Sequence, residues 1–211
     1  MNEINETIRL GDCFKLLAAC FYEPEKSLFI EEAVGDKLGL LLNDQSPEGA
    51  RAARHMQSAL QKLDQKKLSI DHAALFVGPF ELIAAPYGSV YIEKKRRVMQ
   101  KSTLNAARFY QEADLSVDIQ EPPDHIVIEL EFMYYLCTKE ANAASDGLTD
   151  VANRFKDIQT RFFHEAMQPW ILEFCKAITS GTDNIFYIEL SKCLGYFIEA
   201  CEVKYKDTVL A

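Results

Sequence analysis

Glycine and proline are scarce, nine and seven in 211 residues. Few breakers and few tight-turn residues argue against a strand-and-turn architecture and for long helices. No segment of useful length alternates polar and apolar residues, so strands are not expected. No apolar run reaches the ~20 residues that cross a bilayer, and Met-Asn-Glu-Ile-Asn-Glu carries no basic stretch ahead of an apolar one. The expectation is a cytoplasmic protein without stable membrane insertion. Positive charge is also short: the formal net charge is -9. Such a chain repels polyphosphate, which excludes nucleic acid as a natural partner and leaves cationic peptides as plausible ones. Lys94-Lys95-Arg96-Arg97 is the one basic cluster, and a solvated helix face explains it better than a phosphate site.

Catalytic signatures are missing too. There is no G-x-x-x-x-G-K-[ST] loop, no G-x-G-x-x-G turn, no H-E-x-x-H and no G-x-S-x-G. Six cysteines are present, Cys13, Cys20, Cys137, Cys175, Cys193 and Cys201, and none forms a C-x-x-C pair. They lie among apolar residues, as buried free thiols of a reducing compartment do. His125 and Glu129 are four apart on one helix face, but two ligands make no metal site, and a satisfied surface pair is the simpler account. No metal and no cofactor is expected.

About half of the residues are hydrophobic, enough for a sizeable core. The pattern reads as consecutive helices. Residues 7–22 have helical apolar spacing with Thr7 as a candidate cap; a short helix is expected next, near 27–34. Ser46-Pro47-Glu48 opens another helix to about Lys66, with serine as cap and proline in the first turn. Ser69-Ile70-Asp71-His72 opens one that ends at Gly78-Pro79. Residues 79–88 are a loop unusually apolar for a surface segment. Helices are expected near 95–113, from Asp124 to Ala144, and near 148–166, 168–179 and 184–204. In the last, Tyr187, Leu190, Leu194, Phe197, Ile198 and Cys201 trace one stripe. The fold class expected is all-α, a helical bundle of two packed halves (1–120 and 126–211) joined by a proline-rich hinge at 121–125.

Two segments stand out. In Ala85-Pro86-Tyr87-Gly88-Ser89-Val90-Tyr91, proline and glycine set a turn, Ser89 can cap the next helix, and two tyrosines offer flat faces with polar tips. In Glu121-Pro122-Pro123-Asp124-His125-Ile126, Asp124 suits a helix cap. His125 can titrate near neutrality, although a structural hydrogen bond accounts for it more simply than a pH switch.

Together these segments resemble the TorD/DmsD family of redox-enzyme chaperones. The family's E-x-P-D-H element and the E-L-x-F-M helix after it correspond to Glu121-Pro122-Pro123-Asp124-His125 and Glu129-Leu130-Glu131-Phe132-Met133. Its Leu-Phe-x-Gly-Pro phrase and P-[WY]-x-S-V-[WY] turn correspond to Leu75-Phe76-Val77-Gly78-Pro79 and Pro86-Tyr87-Gly88-Ser89-Val90-Tyr91. Phe21-Tyr22-Glu23-Pro24 and a late His164, Trp170 and Phe174 agree. Family members often carry tryptophan where this chain has Tyr87. The resemblance implies a non-enzymatic helical chaperone that binds the twin-arginine signal peptide of a molybdopterin oxidoreductase and delays export until the cofactor is in place. It implies signal-peptide binding by Pro86, Tyr87, Gly88, Ser89, Tyr91, Glu121, Pro123, Asp124 and His125.

A twin-arginine peptide requires carboxylates for its guanidinium groups and an apolar groove for its hydrophobic stretch. Glu121, Asp124 and Glu129 could supply the first; Phe80, Leu82, Ile83, Tyr87 and Tyr91 the second. Two competing readings stay open: an enzyme using His125 with Asp124 or Glu129 for acid-base work, and an assembly subunit that binds a mature folded domain. A monomer or a domain-swapped dimer fits either.

Overall fold

Apolar spacing every third or fourth residue, with few glycines to interrupt it, yields eleven α-helices among the described residues. The computed structural model describes residues 3–78, 82–94, 99–115 and 121–209. Residues 79–81, with Phe80, residues 95–98, with most of the basic cluster, and residues 116–120 lie outside them.

The helices are α1 (Glu3–Phe21), α2 (Lys26–Glu31), α3 (Val34–Leu41), α4 (Pro47–Lys62), α5 (Gln65–His72), α6 (Gly88–Ile92), α7 (Lys101–Glu112), α8 (Ile126–Ser145), α9 (Thr149–Phe162), α10 (Gln168–Gly181) and α11 (Ile185–Val209). Two π-helical turns, Ala73–Val77 and Phe163–Met167, continue α5 and α9. No strand occurs among the described residues; Tyr87 and His125 form a single antiparallel bridge. No helix among them is long and apolar enough to cross a membrane.

Backbone contacts divide the chain into two units, residues 1–19 with 87–170 and residues 20–86 with 171–211. The boundaries fall within α1, between Pro86 and Tyr87, and within α10. The 121–125 segment, expected as a hinge between halves, lies inside the first unit.

In the first unit, α8 is apolar on most of its circumference and buries Ile126, Val127, Leu130, Phe132, Met133, Leu136 and Cys137. A helix so clothed must be surrounded, and α9 packs along it. Tyr110, Phe132 and Phe162 form an aromatic cluster with ring centroids 4.5 and 4.8 Å apart for the pairs sharing Phe132. Edge-to-face packing of this kind adds to simple area burial. Glu140 is buried in this unit and accepts from Gln159 Nε2 at 2.5 Å and from Thr7 Oγ1 at 3.3 Å. Thr7 therefore sits inside α1 and holds a core carboxylate, not the cap position its sequence context suggests, because the helix already begins at Glu3.

In the second unit α4 packs against both α3 and α11. Ser46 caps α4 as expected, its Oγ accepting from Gly49 N, with Pro47 in the first turn. The buried face of α4 is small, with Gly49, Ala50, Ala52 and Ala53, and α3 approaches it closely: a Cβ on Gly35 would lie 2.5 Å from Ala53 O. The helix expected at 27–34 is in fact two short ones, α2 and α3, broken at Ala33, whose φ is 47°. The stripe Tyr187, Leu190, Leu194, Phe197, Ile198 and Cys201 is buried throughout. All six cysteines are free and buried.

Candidate functional site

Tyr87 is extended, with φ -129° and ψ 125°, and so is His125, with φ -73° and ψ 136°. Each stands immediately before a helix, α6 or α8, where the chain has not yet turned. Two extended residues can lie side by side, and the resulting antiparallel bridge joins the turn to the proline-rich segment. Gly88 N donates to Asp124 O at 2.9 Å. The ring of Tyr87 meets that of His125 edge-on, centroids 5.2 Å apart.

Asp124 serves a different helix from the one its position suggests. Its Oδ2 accepts from Ser89 N at 2.7 Å, at the start of α6. The cap of α8 is His125, whose Nδ1 accepts from Val127 N at 3.2 Å. A ring nitrogen that accepts carries no proton, so this bond favours the neutral imidazole. Ser89 does not cap α6 either; it lies within that helix, fully buried, and takes its partner from Asp124. Local sequence rules assign a capping group to the nearest helix, whereas here the fold brings a group 35 positions away.

Glu129 is likewise no surface partner of His125. It is buried, and its Oε2 accepts from the indole N–H of Trp170 at 3.0 Å. Burial, reinforced by the charge of Asp124, raises its carboxyl well above the ordinary range. Trp170 is the floor of the turn. Tyr91 stacks on it at 5.7 Å and 21°, and a Cβ on Gly88 would lie 2.9 Å from Nε1 and 3.2 Å from Cδ1 and Cε2. Only glycine permits that approach.

What remains at the surface is a rim. Glu121 is exposed, while Tyr87, Tyr91, Pro122, Pro123 and His125 are half-buried. Tyr87 Oη donates to Glu121 Oε2 at 3.1 Å, and partial burial with that nearby charge pushes the phenol up to about 12. Tyr110 Oη donates to Pro123 O at 2.5 Å and holds the proline segment from beneath. Pro86, Gly88, Ser89 and Asp124 are buried. The structure therefore brings Tyr87, Gly88, Ser89, Tyr91, Glu121, Pro123, Asp124 and His125 into one place in the first unit. Pro86 is the last residue of the second unit's segment.

Of the carboxylates expected to face guanidinium groups, Glu121 alone is exposed. Asp124 and Glu129 are each 1% exposed and occupied with structural partners. Of the residues expected to line an apolar groove, Ile83 is exposed and Leu82 half-buried, while Phe80 lies outside the described residues. Glu129 and Trp170 belong to this site as its buried support, a role that sequence reasoning misses for both. Trp170, the single tryptophan of the chain, is the signal that could have found it.

The arrangement offers flat aromatic faces, one exposed carboxylate and extended backbone, the means of holding a peptide. Among the described residues no group of three or more His, Cys, Asp and Glu is arranged to hold a metal ion.

The family model of the nitrate reductase delta subunit matches residues 43–176, more than half of the chain. The chain is 37% identical over 95 residues to the selenate reductase assembly chaperone protein of Thauera selenatis, a match covering 44% of this chain and 47% of that protein. It is 26% identical over 143 residues to the chaperone protein TorD of Aliivibrio salmonicida, covering 67% of this chain and 65% of that protein. To a Tat proofreading chaperone DmsD of Haemophilus influenzae it is 24% identical over 140 residues, covering 65% and 62%. The chain thus spans less than two thirds of the length of these relatives. A crystal structure of a candidate redox enzyme maturation protein from Archaeoglobus fulgidus shares the fold, with a TM-score of 0.52 and 22% identity over 87% of this chain and 91% of that one. The match over most of its length, together with the joined turn and proline segment, identifies the chain as a member of the nitrate reductase delta subunit family, the group of TorD and DmsD, whose members are assembly chaperones and not enzymes.

Proposed function

We propose that this chain is a cytoplasmic chaperone that binds the twin-arginine signal peptide of a molybdopterin-containing oxidoreductase and aids its maturation before export. The observation that carries this reading is the Tyr87–His125 bridge, which makes one surface of two segments far apart in sequence. Its rim sets the ring of Tyr87 beside the carboxylate of Glu121, with the ring of Tyr91 stacked on Trp170, suited to a peptide that is cationic at one end and apolar at the other. The net charge of -9 favours encounter with a basic segment.

Calorimetry tests this. Signal peptides of redox enzymes encoded beside this gene are titrated into the protein, with controls in which Lys-Lys or Ala-Ala replaces Arg-Arg or the apolar stretch is shortened. A dissociation constant in the micromolar range, about -8 kcal/mol, suits a partner that must later let go. Absence of binding to every such peptide by folded protein overturns the reading.

A second reading rests on the names of the relatives, several of which are assembly chaperones of selenate, chlorate and perchlorate reductases. On that reading the client is the mature folded domain. Removing the client's signal peptide abolishes binding on the first reading and spares it on the second.

A further inference from the structure

A cavity of about 290 Å3 opens between the start of α1, the end of α8 and the first turns of α9, wholly within the first unit. It shares no residue with the rim that carries the peptide reading, and it does not depend on that reading. Small side chains make the room. Ala141 and Ala144 of α8 and Ala152 of α9 line it, and a larger side chain at any of them would fill part of it. Its volume lies at the small end of ligand sites.

The wall also carries Glu140, a carboxylate only 8% exposed. Burial strips such a group of water, and a fold tolerates it where donors hold it. Thr7 Oγ1 donates to one oxygen at 3.3 Å and Gln159 Nε2 to the other at 2.5 Å. Both donors are themselves buried. Cys137 Sγ donates to Gln159 Oε1 at 3.3 Å, which turns the amide's NH2 towards Glu140. The carboxylate is thus held in one orientation before any ligand arrives, as the polar groups of a binding site are. An ionised carboxylate has about four acceptor sites, more than these two bonds use.

Charge and shape narrow the ligand. Three lining side chains can carry charge, two acids and one amine. The amine, Lys156 Nζ, meets Glu3 Oε1 at 2.9 Å, and both side chains are open to solvent. That pair is close to neutral, so the buried carboxylate sets the sign, and the cavity favours a cation over a neutral molecule or an anion. A guanidinium is a rigid plane that suits acceptors lying in one plane, whereas an ammonium is compact and turns its three donors to acceptors on different walls. Glu140, Thr7 and the side-chain carbonyl of Asn153 are acceptors on three different helices. A short alkyl chain gains by lying on the alanines and Ile4. We propose that this cavity is a binding site for a small primary amine in its protonated form, with the ammonium on Glu140 and the alkyl part against α8 and α9. Bound there, the amine ties α1, α8 and α9 together and stabilises the folded chain by mass action.

The full chain is titrated with n-butylammonium chloride at constant ionic strength, followed by calorimetry and by the amide NMR shifts of Ala144 and Asn153. 1-Butanol and butyrate are the neutral and anionic probes of the same length, and tetramethylammonium is a cation without N–H groups. Butylammonium is expected to saturate one site and to bind at least about tenfold more tightly than any of the three. Glu140→Gln still offers Thr7 and Gln159 an acceptor, and it is expected to lose about that factor. Ala144→Leu fills the cavity while leaving Glu140 and its donors in place. It is expected to abolish binding, and it keeps the test decisive where Glu140→Gln does not fold. Butylammonium is also expected to raise the melting temperature of wild type and not that of Ala144→Leu. Absence of saturable binding to folded wild type overturns the site. Binding that survives Ala144→Leu, or that leaves the shifts of Ala144 and Asn153 unmoved, overturns it as well. Butanol or butyrate that matches butylammonium overturns the cation assignment, and tetramethylammonium that matches it overturns the primary amine.

Discussion

The indole N–H of Trp170 meets Oε2 of Glu129 at 3.0 Å, and both side chains are withdrawn from water. Burial first, and the charge of Asp124 second, raise the Glu129 carboxyl well above 4.5, against the pull of the indole bond. In the unfolded chain this acid ionises as pH passes about 4.5, while in the folded chain it keeps its proton to higher pH. The folded state therefore holds the extra proton, and stability falls as pH rises from 4.5 towards the raised value. Glu129→Gln keeps an acceptor for the indole and cannot ionise. Its stability relative to wild type is expected to grow with pH, by up to ~1.4 kcal/mol per unit. Urea midpoints of both proteins between pH 5 and 8 measure this, and a constant difference refutes it.

Gly88→Ala places a methyl group 2.9 Å from Trp170 Nε1, against a ring that is fully buried and cannot yield. A loss of ~1–3 kcal/mol is expected, together with a red shift in tryptophan emission as the turn is forced off its floor. Chemical denaturation and a native-state emission spectrum report the two effects. Unchanged values for both would mean that the turn tolerates a side chain here.

His72 is buried at the end of α5, with Nε2 3.2 Å from Phe21 O and its ring edge-on to Phe76. Burial lowers its pKa below 6.5 despite the Phe21 carbonyl and Glu23, which pull the other way. The unfolded chain takes up this proton first on acidification. The histidine's contribution is complete above about 6.5 and is lost as pH falls through the lowered value. His72→Gln should be less stable at pH 7.5, through lost ring packing, yet should lose less between pH 6.5 and 5. Equal acid slopes in the two proteins would assign the acid sensitivity elsewhere.

Burial pushes the thiols of Cys13, Cys20 and Cys175 up to about 12, and all six thiols are enclosed. The thiolate is the reactive form. Native protein mixed with a disulfide reagent should show no rapid reaction, and six equivalents should appear only on unfolding. A fast native equivalent would reveal a thiol more open than the packing indicates.

Signals confined to a few neighbouring residues are legible in the sequence. Ser46 and Pro47 start α4 through their own backbone chemistry, and the stripe of α11 comes from spacing alone. The two segments of the site are also visible as words. Their grammar is not. Asp124 precedes α8, the helix that local rules give it, yet its carboxylate serves Ser89, 35 residues earlier. Glu129 stands one turn after His125, and spacing on a helix names neighbours without saying which face is buried. Its true partner, Trp170, is 41 residues away. Partners of that kind are chosen by the fold as a whole, and no local rule records them.

The π-helical turn Phe163–Met167 lies just ahead of Trp170. Such a turn holds one residue more than an α-helix would, and each residue swings the helix through about 100°. Removing one residue there would restore ideal winding and leave Trp170 on the face that meets Glu129 and Gly88, whereas removing one from the α-helical winding of α9 would swing the indole about 100° around the axis. The wide turn is thus the one stretch ahead of the indole where a one-codon deletion is absorbed and not passed on.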